Sequence, residues 1–262
     1  MCTWGFDMSN KADFYRFFDN LCGNKIFIII IKVLKTLISW EKSSMNTVTA
    51  NLADLRNEIA PCKPVIIAVT KYFGAEKLVE AYKAGLRDFA ENRVADALEK
   101  FSNLPDEIKQ NSTFHLIGHL QTNKVKKAVG HFDLIQSIDS LKLAEMVSNE
   151  AQKQGIVQKI LLQVNNANEE NKSGFSKEAL EEVFEEIIKL EGIKVEGLMN
   201  IAPIAQESVL DCLFKDMKEF KEKLENQFSY PMKELSMGMS GDYKTALRHG
   251  ATMIRLGRKL FM

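Results

Sequence analysis

The chain has 262 residues, enough for one large α/β unit of about 250 residues or for two domains of more ordinary size. Hydrophobic residues make up 45% and charged residues 27%, close to globular averages, which excludes wholesale disorder, a collagen repeat and a multispanning membrane protein. Lys plus Arg and Asp plus Glu are both 35, so no net positive field draws nucleic acid, and no nucleic-acid partner is expected. The cysteines, Cys2, Cys22, Cys62 and Cys212, are too scattered for a zinc site or a small disulfide framework and read as reduced thiols of a cytoplasmic protein.

Residues 1–44 differ from the rest. They are rich in Phe and Ile, and their apolar run from Ile26 to Ile31 is broken by Lys32 and Lys35 before it reaches the roughly 20 apolar residues a membrane helix needs. No membrane partner is expected unless this segment anchors weakly. From Met45 the chain reads at once as a polar, well-patterned helix, so Met45 is expected to be the natural start. Residues 1–44 are then an atypical extension, and residues 45–262 a single domain.

After a helix near Asn46–Ala60, the run Pro64-Val-Ile-Ile-Ala-Val-Thr-Lys71 has the length and apolarity of a buried parallel strand. A helix over Ala75–Ala84 follows, with Leu78, Val79, Tyr82 and Ala84 at helical spacing and Gly85 as its stop. The alternation continues with a strand at Asp88–Asn92 and a helix to about Asn103, then Thr113–Leu120 with Asn123–Val129, and Leu134–Ile138 with Leu141–Gln154. Next come Lys159–Asn165 with Ser176–Leu190, Lys194–Ile201 with Glu207–Glu225, Glu234–Met239 with Tyr243–His249, and a last strand at Thr252–Leu256. Eight strands alternating with helices predict a single (βα)8 TIM-type barrel preceded by an N-terminal helix. A dinucleotide-binding sheet would need a G-x-G-x-x-G turn after the first strand, where the chain instead reads Thr70-Lys71-Tyr72-Phe73-Gly74.

Chemistry in such a barrel sits at the carboxyl ends of the strands. Lys71 closes the first strand, where its amine is expected to enter a mouth whose walls disfavour the charged form and favour Schiff-base chemistry; the bland alternative is a solvated surface amine. The seventh strand ends in Ser236-Met-Gly-Met-Ser240-Gly241-Asp242 and the eighth in Arg255-Leu-Gly257-Arg258. Ser240, Gly241, Gly257 and Arg258 combine hydroxyl and backbone donors with glycines that let an anion approach, the composition of a phosphate cup. A lysine and a phosphate cup on one rim describe a site for an aldehyde carrying a phosphate, which is pyridoxal 5′-phosphate. His115 and His119 flank Gly118 without a carboxylate or cysteine at ligand spacing, so no metal is expected. Asn92 and Asn165 end strands, where they line the mouth or cap the next helix. Lys172-Ser173-Gly174 is a second anion site or an ordinary helix-entry loop, and Glu178–Glu186 reads as a solvated helix face.

Across residues 45–262 the sequence resembles the pyridoxal-phosphate homeostasis proteins, which look like the barrel domain of bacterial alanine racemase without its second domain. The resemblance runs through Ile67-Ala-Val-Thr-Lys71, Glu91-Asn92, Phe114-His-Leu-Ile-Gly118-His-Leu-Gln-Thr-Asn123-Lys124, Ser137-Ile-Asp139, Gln163-Val-Asn165, Lys172-Ser-Gly174, Gly197-Leu-Met199, Ser236-Met-Gly-Met-Ser240 and Met253-Ile-Arg255-Leu-Gly257. It implies that Lys71 holds the cofactor as a Schiff base, that Ser240 and the Gly257–Arg258 backbone hold its phosphate, that Arg255 faces the pyridine nitrogen, and that Asn92 and His115 line the pocket wall. Arg258 stands where that family usually has a small hydroxyl residue, which leaves its backbone N–H as the donor.

A cation beside the ring nitrogen disfavours its protonation and makes the cofactor a poor electron sink. The second base that alanine racemases draw from their other domain has no counterpart in this length of chain. The implied function is therefore non-catalytic: binding pyridoxal phosphate, maintaining its intracellular supply, and handing it to pyridoxal-phosphate-dependent apoenzymes. Two alternatives stay open from the sequence. One is an amino-acid racemase whose missing base is Tyr72, His115 or His119; the other is a phosphorylated-metabolite enzyme that uses Lys71 without a cofactor.

Overall fold

The computed structural model describes residues 47–167, 169 and 173–262. Residues 1–44, with Cys2 and Cys22, the proposed start Met45, and Lys172 lie outside the described residues.

The expected barrel is present. Strands β1 (Val65–Val69), β2 (Asp88–Glu91), β3 (Thr113–Leu116), β4 (Leu134–Ile138), β5 (Gln158–Val164), β6 (Ile193–Asn200), β7 (Glu234–Ser236) and β8 (Met253–Leu256) close in sequence order into one sheet. Every neighbouring pair is parallel, including the β1–β8 seam, where Ile67 lies opposite Arg255 and Ala68 opposite Leu256. The helices are α1 (Thr47–Ile59), α2 (Ala75–Lys83), α3 (Val94–Ser102), α4 (Asp106–Gln110), α5 (Val125–Ala128), α6 (Leu141–Lys153), α7 (Lys177–Ile188), α8 (Glu207–Phe228), α9 (Tyr243–Arg248) and α10 (Arg258–Phe261).

The two-residue period of the strands sorts side chains into two shells. Ile67, Val69, Ala90, Leu134, Leu161, Met199 and Met253 form an apolar cluster inside the barrel. Their sequence neighbours, among them Ala68, Phe89, Ile135, Leu162, Leu198 and Ile254, belong to the larger cluster between sheet and helices. The helices supply matching stripes, such as Leu180, Phe184 and Ile187 on α7, while Glu178, Glu182, Glu185 and Glu186 remain exposed as the charge pattern predicts. Ser140 and Ser176 cap α6 and α7 by accepting the backbone N–H of Leu143 and Ala179.

The structure departs from the sequence reading at short elements. The third strand stops at Leu116, not Leu120, because Gly118 passes hard against the end of β2: a Cβ on Gly118 would stand 2.2 Å from the Asn92 carbonyl oxygen. The seventh stops at Ser236, not Met239, where Gly238 turns at φ +94° and leaves a Cβ no room beside Tyr243 and Ala246. Helices α4 and α10, of 5 and 4 residues, are too short to show a period and escape the sequence pattern. Cys62 and Cys212 are free, exposed thiols. Among the described residues no helix is long and apolar enough to cross a membrane.

The first and last described helices are joined. Helix α1 buries Val48, Leu52, Leu55 and Ile59 and packs on α10. Asn51 Nδ2 donates to the Leu260 carbonyl at 3.1 Å. Glu58 accepts from Tyr243 Oη at 2.5 Å and Lys259 Nζ at 2.8 Å, with Lys244 Nζ 3.3 Å away. These donors, Lys259 first, lower the Glu58 pKa from 4.5 to about 2. A carboxylate with a depressed folded-state pKa stabilises the fold above its unfolded value and loses that contribution as pH falls through the folded one. Glu58→Gln is therefore expected to cost about 1 kcal/mol at pH 7 in chemical denaturation, the scale of an accessible charge network, with the difference shrinking below pH 4.5 and absent near pH 2.

Candidate functional site

The inward face of the barrel carries a one-way chain of hydrogen bonds. Arg255, on β8 and 3% exposed, donates through one terminal nitrogen to Ser236 Oγ at 2.7 Å and through the other to the Asn200 carbonyl at 2.6 Å. Ser236 Oγ donates to Gln136 Oε1 at 2.7 Å, and Gln136 Nε2 reaches His115 Nδ1 at 3.0 Å. With Gln136 as donor there, the remaining ring proton sits on His115 Nε2, which faces Asp88 Oδ1 at 3.2 Å. The chain thus runs from a guanidinium on β8 across β7, β4 and β3 to a carboxylate at the start of β2. Burial lowers the Arg255 pKa to about 10, with the Asp242 charge opposing the fall, so the guanidinium stays a cation at neutral pH. Burial likewise raises the Asp242 carboxyl, against the pull of the Met239 N–H it accepts and of Arg255.

The expected residues fall into three places. Lys71, Ser240, Gly257 and Arg258 lie at the carboxyl-end rim. Lys71 follows β1 by two residues and is exposed, its Nζ 5.0 Å from the ring centre of Tyr72, itself 82% exposed. The expectation of a desolvated amine is corrected here: the turn after Thr70 carries Lys71 clear of the apolar interior into solvent. Ser240 Oγ accepts the Lys259 backbone N–H in the first turn of α10, at 3.4 Å, which brings the β7 and β8 loops together. Gly257 precedes α10 and borders the end of β1: a Cβ there would meet the Val69 carbonyl oxygen at an ordinary 3.5 Å, and one on Gly241 would meet nothing within 4 Å. The Arg258 side chain is exposed.

Asn92 stands at the end of β2, half-buried, with an Oδ1 that is buried and without a hydrogen-bond partner. It does not cap α3, whose N-cap position is Arg93. Asn165 instead braces its own loop, bonding the Glu169 backbone at both amide atoms. His115 is 1% exposed, with both ring nitrogens engaged inside the barrel, whereas His119 lies on the rim, 3.0 Å from Asp139 and 3.4 Å from Ser173. The two histidines therefore do not face a common point. A cleft of about 550 Å³ bordered by Arg56, Lys63, Ile66, Arg87 and Asp88 lies at the amino ends of β1 and β2, the opposite end from Lys71.

Sequence reasoning missed Gln136, Ser236 and Asn200 as site-forming residues, together with Asp242. Gln136 and Ser236 carry a signal in retrospect, since each is a polar residue at an inward position of a buried strand. Asn200 shows only as a polar strand end, and its Oδ1 is, like that of Asn92, buried without a partner. The rim thus presents an amine, a hydroxyl beside the start of α10, an open glycine at 241 and a glycine at 257 in ordinary contact with Val69. That set fits a small phosphorylated aldehyde.

The model of the alanine racemase N-terminal domain matches residues 44–262. The pyridoxal phosphate homeostasis protein of Aquifex aeolicus is 38% identical over 198 residues, covering 75% of this chain and 85% of the relative. The human protein of that name is 34% identical over 220 residues, covering 78% of each. Among solved structures, PipY of Synechococcus elongatus PCC7942, determined with PLP bound, superposes with a TM-score of 0.74 at 37% identity over 82% of this chain and 100% of its own. Alanine racemase of Clostridium difficile 630, at 17% identity and a TM-score of 0.67, shares the fold. With a family model spanning the whole barrel and relatives matched over most of their length, the chain belongs to the pyridoxal phosphate homeostasis protein family, built on the alanine racemase N-terminal domain.

Proposed function

We propose that residues 45–262 form a carrier of pyridoxal 5′-phosphate that holds it on Lys71, releases it to apoenzymes in the cytoplasm, and has no turnover of its own. The observation that carries this reading is the rim geometry: the β1–β8 seam sets Gly257 against Val69, two residues from Lys71, while Ser240 and the start of α10 close the same corner. The PLP-bound structure of PipY supports the ligand, and the family match over 44–262 supports the extent of the unit.

Lys71 takes the aldehyde by condensation: its amine forms a C=N bond to the carbonyl carbon and the oxygen leaves as water, so hydrolysis returns the free aldehyde. Exposure suits this role, because a carrier must let both water and a competing amine reach the bond. The Ser240 hydroxyl and the Gly257–Arg258 backbone hold the phosphate, and the Lys259 N–H fixes the Ser240 oxygen in place beside them. Asn92, half-buried just past β2, lines the pocket wall in this reading. Arg255, a cation at neutral pH, would disfavour protonation of a pyridine nitrogen held beside it and so deprive the bound group of the electron-withdrawing power that carbanion chemistry needs. His115 acts behind Arg255 as part of the chain that fixes it; both its nitrogens are already engaged, which leaves it no free base.

Three outcomes are expected. Incubation with pyridoxal phosphate, followed by borohydride reduction and peptide mass spectrometry, places the adduct on Lys71; Lys71→Ala abolishes it and leaves the circular dichroism and melting curve unchanged, because the exposed side chain packs on nothing in the core. Gly257→Ala keeps the fold, since its Cβ makes an ordinary contact, but fills the cradle and weakens equilibrium binding of the phosphate ester by about tenfold, or ~1.4 kcal/mol. Arg255→Met strands the buried Ser236 hydroxyl and Asn200 carbonyl, and lowers stability in denaturant titration by about 2–4 kcal/mol. Steady turnover of an amino acid by the loaded wild-type protein contradicts the carrier reading.

A further inference from the structure

We infer that Glu91 and Lys100 are positioning residues for Lys71, acting through the peptide that precedes it; the inference rests on the carrier reading of Lys71. Glu91 is the last residue of β2 and Lys100 lies on α3, and their side chains are 2% and 10% exposed in the layer outside the barrel wall. The pair is in direct contact, and both members also hold Thr70. Lys100 Nζ donates to the Thr70 carbonyl at 2.7 Å, and Thr70 Oγ1 donates to Glu91 Oε1 at 2.5 Å. The Thr70 N–H donates to the Ala90 carbonyl at 3.1 Å, and its carbonyl also accepts from the Phe73 N–H at 2.9 Å.

Every polar atom of Thr70 is thereby engaged, and Thr70 is wholly buried while the next residue is exposed. The chain leaves the sheet at this point and turns over the rim, so the direction of the Thr70–Lys71 peptide sets where the lysine side chain starts. A buried ion pair seldom stabilises more than apolar residues of the same size would. This one is built around a single peptide, which gives it a use that packing alone would not have: it turns a flexible exposed amine into one that leaves the rim in a fixed direction. Helix α3 holds its end of the clamp in place through Ala97 and Phe101, which are buried on either side of Lys100, with the Phe101 ring tilted at 39° against Phe114 and its centre 4.1 Å away.

The test uses the full chain and pyridoxal phosphate as the probe, with the rate of the visible imine band and the site of borohydride trapping as readouts, beside thermal melting and amide hydrogen exchange over residues 70–74. Glu91→Leu with Lys100→Met removes both charges together and avoids stranding either, while Thr70→Val is the milder second variant. The expected result is a folded protein in both variants, with melting lowered in the double variant because the buried Thr70 hydroxyl loses its acceptor, an imine-forming rate lower by about tenfold in the double variant and about threefold in Thr70→Val, trapping spread from Lys71 to surface lysines, and faster exchange at 70–74. Lys100→Arg, which keeps a donor for both partners, is expected to restore rate and selectivity to within about threefold of the wild type. Wild-type rate and selectivity in the double variant, whether or not exchange rises, overturn the inference and leave the carrier reading standing. Absence of a Lys71 adduct in the wild type overturns the carrier reading, and the inference with it.

Discussion

A guanidinium inside a closed barrel must be hydrogen-bonded on the spot, because a buried charge without partners is costly. Arg255 meets that demand by donating to Ser236 and Asn200, and Ser236 passes it on to Gln136, His115 and Asp88. The interior is consequently divided: Ile67, Leu134, Leu161, Met199 and Met253 fill the barrel by packing, and the polar chain threads between them from β8 to the start of β2. Each link has its donor and acceptor direction fixed by the next, so the cation on β8 and the carboxylate on β2 are the two ends of one arrangement.

That arrangement explains why the site lies where the β1–β8 seam closes. Arg255 is opposite Ile67 in the register, and two residues further along each strand come Gly257 and Val69, already at the rim. Lys71 and the start of α10 follow β1 and β8 at the same rim. The loop after β7 reaches it through Ser240, and α1 secures α10 from outside through Glu58 and Asn51. A segment as short as α10 has little helical stability of its own, so these outer contacts hold the backbone donors of the cup in place.

The site separates reactivity from rigidity. The amine is exposed, as a carrier that must both take up and release an aldehyde requires, while the peptide before it is held by buried groups on two neighbouring elements. The cation that would face the ring is, in contrast, locked within the core. The alanine racemase barrel shares this fold, and a shared fold does not by itself fix what the rim does.

The alternation of apolar runs with helical patterns was enough to specify the eight strands, their parallel order and the carboxyl-end rim, because burial on both faces writes the strand into the local composition. Lys71, Ser240, Arg255 and Gly257 were legible as strand-end and rim positions because polar residues and glycines there interrupt an apolar segment. The short α10 was not legible, since four residues carry no period, nor was the early end of β3, which Gly118 sets through contact with Asn92 from another strand. The exposure of Lys71 and the clamp on Thr70 likewise depend on groups 20 to 30 residues away. Sequence determined which residues alternate inward and outward, because that is a property of neighbours along the chain. Only the tertiary structure decided which hydrogen-bonding groups meet, because partners such as Arg255, Ser236, Gln136 and His115 come from different strands and become neighbours when the barrel closes.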